Sequence, residues 1–453
     1  MPLCNDYLAS LRRDASEIFH AALKSVHAGT AVENACRIEN GRLRVHSHAI
    51  DLTRVRRIYV VGAGKASADM AEGLEKLLKD RITAGAVTVK YGHTRPLEKI
   101  RLAEAGHPVP DSSGLEGAGR IMKTVDQAEA SDLVVCLLSG GGSALLPYPA
   151  EPLTLADKQA AIRALMDCGA EIHEINAVRK HMSAVKGGRL AARAWPAAVL
   201  TLIVSDVVGD DLDVIASGPT VGDPSTFADC LQTISAYGLK EKLPRPVVEH
   251  MEKGAAGRIP ETPKPGDRLF ERTQNHIIAA GRTALQQAKA AARAMGYNAL
   301  ILSSMITGDT RAAARLHASI ASEVRHSGNP VQAPACLLSG GETTVVVSGG
   351  GKGGRNQEFA LSSAVSIAGE KGIVVLSGGT DGTDGPTDAA GAVVDSASVQ
   401  KARRLGLSPS QYLEANDSYN FFRQTGELLM TGPTGTNVMD LRVILVGKKD
   451  SRT

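Results

Sequence analysis

VVLSGGTDGTDGPTDAAGAVV, residues 374–394, opens as an apolar run and breaks into glycines and acids. Its first part, with Ile373 ahead of it, reads as a buried strand. Ser377-Gly378-Gly379 ends that strand, and Asp381, Asp384 and Asp388 follow, interleaved with Thr380, Thr383 and Thr387. A parallel strand opens its carboxyl end into a ligand cleft in this way. Glycines let the backbone approach a phosphate, and carboxylates can hold Mg²⁺. An acidic surface turn uses the same residues, so the stretch gains weight from its recurrence. Leu-Ser-Gly-Gly starts at Leu138, Leu338 and Leu376, each time closing an apolar run. Strand, glycine turn and helix alternate along the chain, which predicts an α/β fold with mostly parallel or mixed sheets. No fixed short period runs through it, so it is not a solenoid.

Length and composition narrow the class. The 453 residues suggest about two to three domains. With 43% hydrophobic and 22% charged residues, the chain is an ordinary globular one. A net charge of +3 and 3% aromatics give neither a basic surface nor stacking platforms for nucleic acid. No apolar run reaches about 18 residues, so no membrane span is expected. The N-terminus has early acids and no apolar core, unlike a signal peptide. Cys4, Cys36, Cys136, Cys168, Cys230 and Cys336 lack CxxC or ligand spacing. They read as reduced core residues of a cytoplasmic protein. The expected partners are small molecules, for a monomer or homodimer.

Taken in order, residues 6–26 carry one apolar face, with Leu8, Leu11, Ile18, Phe19, Leu23 and Val26, and predict a helix. Asn40-Gly41 is a hairpin signal. The run IYVVGAGKAS from Ile58 predicts strand, glycine turn and helix, and LVVCLLSGGGSALL from Leu133 repeats the pattern. Thr154 with Asp157 resembles a capping box. Residues 243–267 are rich in proline and glycine and read as a connection. The expected domains are therefore 1–255, Rossmann-like, and 268–453, a second α/β domain, with an active site in the cleft between them.

Several motifs carry chemistry. In VGAGKAS, Gly62 and Gly64 fit a dinucleotide fingerprint, but Ser67 stands in the third glycine position and the next strand ends in Lys90-Tyr91. A P-loop also fits poorly, since Tyr59 holds its first position and Ala66 follows the lysine. Either way Lys65 lies beside a helix N-terminus, which favours an anion. Ser139, Gly140, Gly141, Gly142 and Ser143 can form an anion nest or a plain turn. Asp206 follows an apolar strand, where phosphoryl-transfer sites place a Mg²⁺-holding acid and where an N-cap also falls. Gly353-Gly354-Arg355-Asn356 opens a helix. Arginine there opposes the dipole, so it reads as an anion clamp. Lys180, Lys186 and Arg189 form a basic cluster that a solvated helix face would also explain.

Together these motifs resemble a known family. VGAGKAS, LLSGGGSALL, INAVRKHMSAVKGGRLA, SDVVGDDLDVIASGPTVGD, LLSGGETTV, GGRNQEFAL and SGGTDGTDGPTDAAGA are similar, in order, to motifs of the type II glycerate kinases, the glycerate 2-kinases with a MOFRL C-terminal domain. The resemblance implies ATP- and Mg²⁺-dependent phosphorylation of D-glycerate to 2-phosphoglycerate. It implies Lys65 and Arg355 as catalytic residues. Gly64, residues 139–143, Lys186, Arg189, Gly353, Gly354, Asn356 and Thr383 are expected around substrate or nucleotide, and Asp206, Asp381 and Asp384 around the metal. Members have often been labelled hydroxypyruvate reductase, so an NAD(P)H-dependent reductase is the alternative. A non-catalytic binder of nucleotides or sugar acids is the third reading.

Overall fold

The computed structural model describes residues 2–448, with side chains from Asp6 onward. One compact unit is Ala28–Ile278; the other joins the chain up to His27 with the chain from Ala279.

The first unit begins with β1 (Cys36–Glu39), β2 (Arg42–Val45) and β3 (His48–Asp51), a small antiparallel sheet. Asn40 and Gly41 turn between β1 and β2 with φ of 50° and 72°, as a two-residue hairpin requires. The main sheet contains β4 (Ile58–Ala63), β5 (Ile82–Lys90), β6 (Ile100–Ala105), β7 (Leu133–Leu138), β8 (Ala198–Val204) and β9 (Thr273–Ala279). Its order is β6-β5-β4-β7-β8-β9, and the pairs from β6 through β8 are parallel. Every residue of β4 and β7 is buried, as expected for strands covered on both faces. Tyr59, Val61, Cys136 and Leu138 pack with Ile121, Met122 and Val125 of the helix Ser112–Val125. Strands β5 and β6 extend the sheet on one side of β4, and β7 to β9 on the other. The order reverses between β4 and β7, and open α/β sheets hold ligands beyond the carboxyl ends at such a reversal.

A helical layer with its own core belongs to the same unit. Leu165, Val178, Phe227, Val247 and Met251 pack together from the helices Leu155–Asp167, Ile172–His181, Phe227–Ala236 and Arg245–Ala255. Thr154 and Asp157 form the capping box that starts the first of them.

The second unit has a mixed sheet of β10 (Asn298–Ile306), β11 (Ala335–Gly341), β12 (Ile373–Gly379), β13 (Gly391–Asp395), β14 (Leu428–Leu429) and β15 (Asp440–Val446). The order is β10-β11-β15-β12-β13-β14. Among the described residues of this sheet, β10 and β11 pair in parallel, and β15 runs antiparallel between β11 and β12. Wholly buried β11, β12 and β15 set a core of Leu337, Val375 and Ile444 against Phe359, Phe421 and Phe422.

Two elements cross the boundaries expected at 1–255 and 268–453. Strand β9 completes the first unit's sheet beside β8. The helix Pro2–Ser25 belongs to the second unit. There Arg12 pairs with Asp395 and Glu427 and donates to Val393 O at 2.8 Å, and Asp14 accepts from the Tyr297 hydroxyl at 2.6 Å. Cys36, Cys136, Cys230 and Cys336 are buried free thiols and Cys168 is half-buried; the Cys4 side chain lies outside the described residues. Burial pushes the Cys36 and Cys136 thiols up to about 12, so they are inert. Among the described residues no helix is long and apolar enough to cross a membrane.

Candidate active site

At the reversal, the turns after β4 and β7 are tied to each other. The Lys65 backbone N–H donates to Gly140 O at 2.8 Å. The buried Ser139 hydroxyl accepts from the Ala66 N–H at 3.0 Å and lies 3.0 Å from the Ser67 hydroxyl. Gly64 has φ of 150°, and a Cβ there would sit 2.1 Å from Ser139 Oγ. Only glycine permits both the angle and the approach. A Cβ at Gly141 would meet the His107 ring at 2.7 Å and Lys65 Cγ at 3.4 Å, so the half-buried Lys65 stem runs beside Gly141. His93 Nδ1 lies 3.1 Å from Lys65 O, and burial lowers its pKa.

A cavity of about 380 Å³ opens beside this pair of turns, lined by His107, Gly141, Ser143, Lys158, Arg179 and Lys186 among others. Lys186 is 1% exposed and donates to Ser143 O at 2.9 Å. Arg179 donates to Asn176 Oδ1 at 2.6 Å. Asn176 Oδ1 also accepts from Ser217 Oγ, which lies 2.8 Å from Ser143 Oγ. The acid-rich loop after β8 thereby braces the glycine turn. Ala216 and Ser217 in that loop hold φ of 51° and 59°, a strained conformation that collects at functional sites. Burial holds Lys158 down to about 7, with Arg179 adding to it. It also holds Lys186 well below the usual lysine range, with Lys158 and Arg179 contributing.

In the second unit the helix Arg355–Ser366 starts over a buried acid. The backbone N–H groups of Asn356 and Gln357 donate to Asp384 at 3.0 and 2.8 Å. Those helix-start donors are thus taken by a side chain. Asp384 sits where the dipole favours negative charge, which offsets the arginine at the helix start. Burial pushes Asp384 up to about 7; the two backbone N–H groups pull against that, and Asp440 adds to it. Arg355 donates to Asp440 and, at 2.7 Å, to Glu342. Asp440 also accepts from Asn356 Nδ2 at 2.8 Å and Arg442 Nη2 at 3.1 Å. A second cavity, of about 580 Å³, is lined by Gly353, Gly354, Arg355, Glu342 and Glu358.

The expected residues fall into these two settings. Lys65, Gly64, Ser139, Gly140, Gly141, Gly142, Ser143 and Lys186 gather at the first sheet's reversal. Gly353, Gly354, Arg355 and Asn356 gather at the second unit's helix start, with Asp384 beneath them. Arg189 stands apart from the first cavity's lining and faces Asp223 and Glu261. Lys180 is neutralised by Asp213 and Asp223 at 2.6 and 3.3 Å. Asp206 is half-buried after β8, and Asp381 accepts from Thr383 N and Oγ1, both at 3.1 Å. No group of three or more metal-ligating side chains occurs among the described residues. Sequence reasoning missed Lys158, Arg179, Glu342, Asp440 and Arg442. Lys158 had a signal: it shares the buried helix face with Ala161 and Leu165, where lysine is out of place.

Glycine turns at a sheet reversal, with buried cations beside them, define an α/β protein fitted to anionic ligands. A domain of unknown function, DUF4147, matches residues 14–252, and the MOFRL family matches residues 335–440. The D-glycerate 2-kinase of Thermotoga maritima is 41% identical over 438 residues, 96% of this chain and 99% of that one. The glycerate 2-kinase of Pyrococcus horikoshii is 39% identical, covering 95% and 96%. A protein of Agrobacterium vitis, provisionally named a hydroxypyruvate reductase, is 47% identical, covering 86% and 87%. The crystal structure of the Thermotoga maritima glycerate kinase superposes with a TM-score of 0.86 over 97% of this chain and all of that one. The chain belongs to the glycerate kinase family that combines DUF4147 and MOFRL domains.

Proposed function

We propose that the protein transfers the γ-phosphoryl group of ATP to the 2-hydroxyl of D-glycerate, giving 2-phosphoglycerate and ADP. The observation that carries this reading is the near full-length relation to two proteins named glycerate 2-kinase. The chemistry of the site agrees with it. Phosphoryl transfer asks for positioning and charge stabilisation rather than a protein nucleophile. Lys65, beside the glycine turns, and Arg355, fixed by Asp440 and Glu342, are the cations proposed to serve the same transfer. Burial pulls Arg355 down, but Asp440 and Glu342 outweigh it and raise its pKa, so it is charged at every working pH.

ATP supplies the transferring group, and Mg²⁺, when bound, would offset its phosphate charge. Mg²⁺ keeps several waters and needs only one or two carboxylates beside substrate phosphates. Asp206 and Asp381, both half-buried, are each proposed as such a carboxylate; Asp384, engaged by the helix start, supports Asn356 and Arg355 from beneath. The glycine turns at 139–143 and 349–354 are proposed to bind phosphates or the substrate carboxylate, with Thr383 and Arg189 in supporting places. The protein is proposed to act in the cytoplasm, as a monomer or homodimer.

The reductase reading has less support. Ser67 fills the third glycine position, and its hydroxyl bonds to Leu137 O at 3.3 Å. Strand β5 ends at Lys90 rather than in an acid that would hold a ribose. A coupled assay decides between the two. The kinase reading expects D-glycerate-dependent ADP release and a 2-phosphorylated product by ³¹P NMR. Oxidation of NADPH with hydroxypyruvate, without ADP release, would overturn it.

A further inference from the structure

Lys158 has an ammonium that fold stability does not explain. It sits on the buried face of the helix Leu155–Asp167, is 6% exposed, and lines the cavity beside the glycine turns. Its Nζ has no hydrogen-bond partner among the described residues. An unpaired buried charge destabilises the fold, and an apolar side chain of the same length would fit the face without that cost. Two more cations on the inner side of the same cavity, the half-buried Arg179 and the buried Lys186, have no carboxylate partner among the described residues: Arg179 donates to an amide oxygen and Lys186 to a backbone carbonyl. Among the described residues the acid in the lining is Asp167, which lies with Arg163 on the exposed part of the helix. Three cations that converge without a carboxylate partner among the described residues suit an anionic ligand.

We propose that Lys158, Arg179 and Lys186 form a phosphate subsite, which holds a phosphate group of a ligand bound against the turn at residues 139–143. The charge favours phosphate over a carboxylate. A single carboxylate would leave two of the cations uncompensated in a low-dielectric pocket, whereas a phosphate carries close to two charges and offers three acceptor oxygens. The volume of about 380 Å³ leaves room for the rest of the ligand along Pro108, Val109, Pro147, Leu155 and Ile162. The depressed pKa values of Lys158 and Lys186 describe the pocket without an anion, and a bound phosphate would restore their charge. This inference rests on the kinase reading only for the choice of phosphate bearer, which is either the nucleotide or the phosphorylated acid.

The test is calorimetric titration of the full-length protein with ADP, 2-phosphoglycerate and D-glycerate, for wild type, Lys158→Met and Lys158→Arg. Thermal melting of each variant confirms folding. The subsite predicts at least a tenfold loss of affinity for ADP or for 2-phosphoglycerate in Lys158→Met, and recovery to within about threefold in Lys158→Arg. Loss for ADP assigns the nucleotide phosphates to the cavity; loss for 2-phosphoglycerate assigns the acid's phosphate. If both phosphate ligands bind Lys158→Met within twofold of wild type, or if only D-glycerate binding falls, the inference is wrong. Binding is read without turnover, so a protein that binds ADP through Lys158 yet shows no D-glycerate-dependent ADP release would overturn the kinase reading alone.

Discussion

Arg355 Nε reaches both carboxylate oxygens of Asp440, at 3.0 and 2.9 Å. The same acid, 1% exposed, is held by Asn356 and Arg442. Arg442 is fully buried over the Phe359 ring, 4.8 Å from its centroid. The last strand of the sheet thus supplies the acid that aims the arginine at the helix start. Glu342, by contrast, is an exposed partner.

This arrangement separates aim from charge. Asp440→Asn keeps the shape but removes the carboxylate that fixes Arg355. It is expected to lower kcat for D-glycerate-dependent ADP release by about 10²-fold, the scale of losing a preorganised donor. Glu342→Gln, at the exposed end of the same guanidinium, is expected to stay within about threefold. Steady-state kinetics on both variants checks the split.

Gly64→Ala places a methyl group against Ser139 in a backbone conformation that L-residues rarely adopt. The two turns cannot part without breaking the Lys65–Gly140 bond. Overpacking of this kind costs about 1–3 kcal/mol. A lowered urea midpoint with an unchanged slope is expected, together with a fall in activity.

Lys158→Met is expected to stabilise the protein, and more so at low pH. The folded-state pKa of about 7 lies below the ordinary lysine value of 10.5. The unfolded chain therefore binds more protons between those values, and stability rises with pH across that window. The penalty of the native lysine is full below pH 7 and fades toward pH 10.5, at about 1.4 kcal/mol per unit. Melting at pH 6.5 and 9.5 without ligand should show the larger gain in Tm at pH 6.5.

Much of this architecture is legible in the chain. The apolar runs ending in glycines mark β4, β7, β11 and β12. Asn40-Gly41 gives the hairpin, and Thr154 with Asp157 gives the helix start. Each signal is local, carried by a few consecutive residues. What escaped was pairing at long range. Arg12 and Asp395 lie 383 residues apart, and no pattern in the first helix says which half it will cover. Asp384 reads as a metal acid because its neighbours are glycine and threonine, yet its carboxylate caps a helix 28 residues earlier in the chain. Asp440 and Arg442 are hidden in an otherwise apolar strand. Lys158 was detectable, as a charge out of phase with its helix.

Lys65 and Arg355 are proposed to act as one device on one phosphoryl group. Residues that work as a unit are non-additive when removed. The most direct measurement is therefore kcat for D-glycerate-dependent ADP release in Lys65→Ala, Arg355→Ala and the double variant, each confirmed folded by its melting curve. Each single change is predicted to cost at least about 100-fold, and the double change about as much as the worse single one. Single variants within about threefold of wild type, or losses that multiply in the double variant, would contradict it.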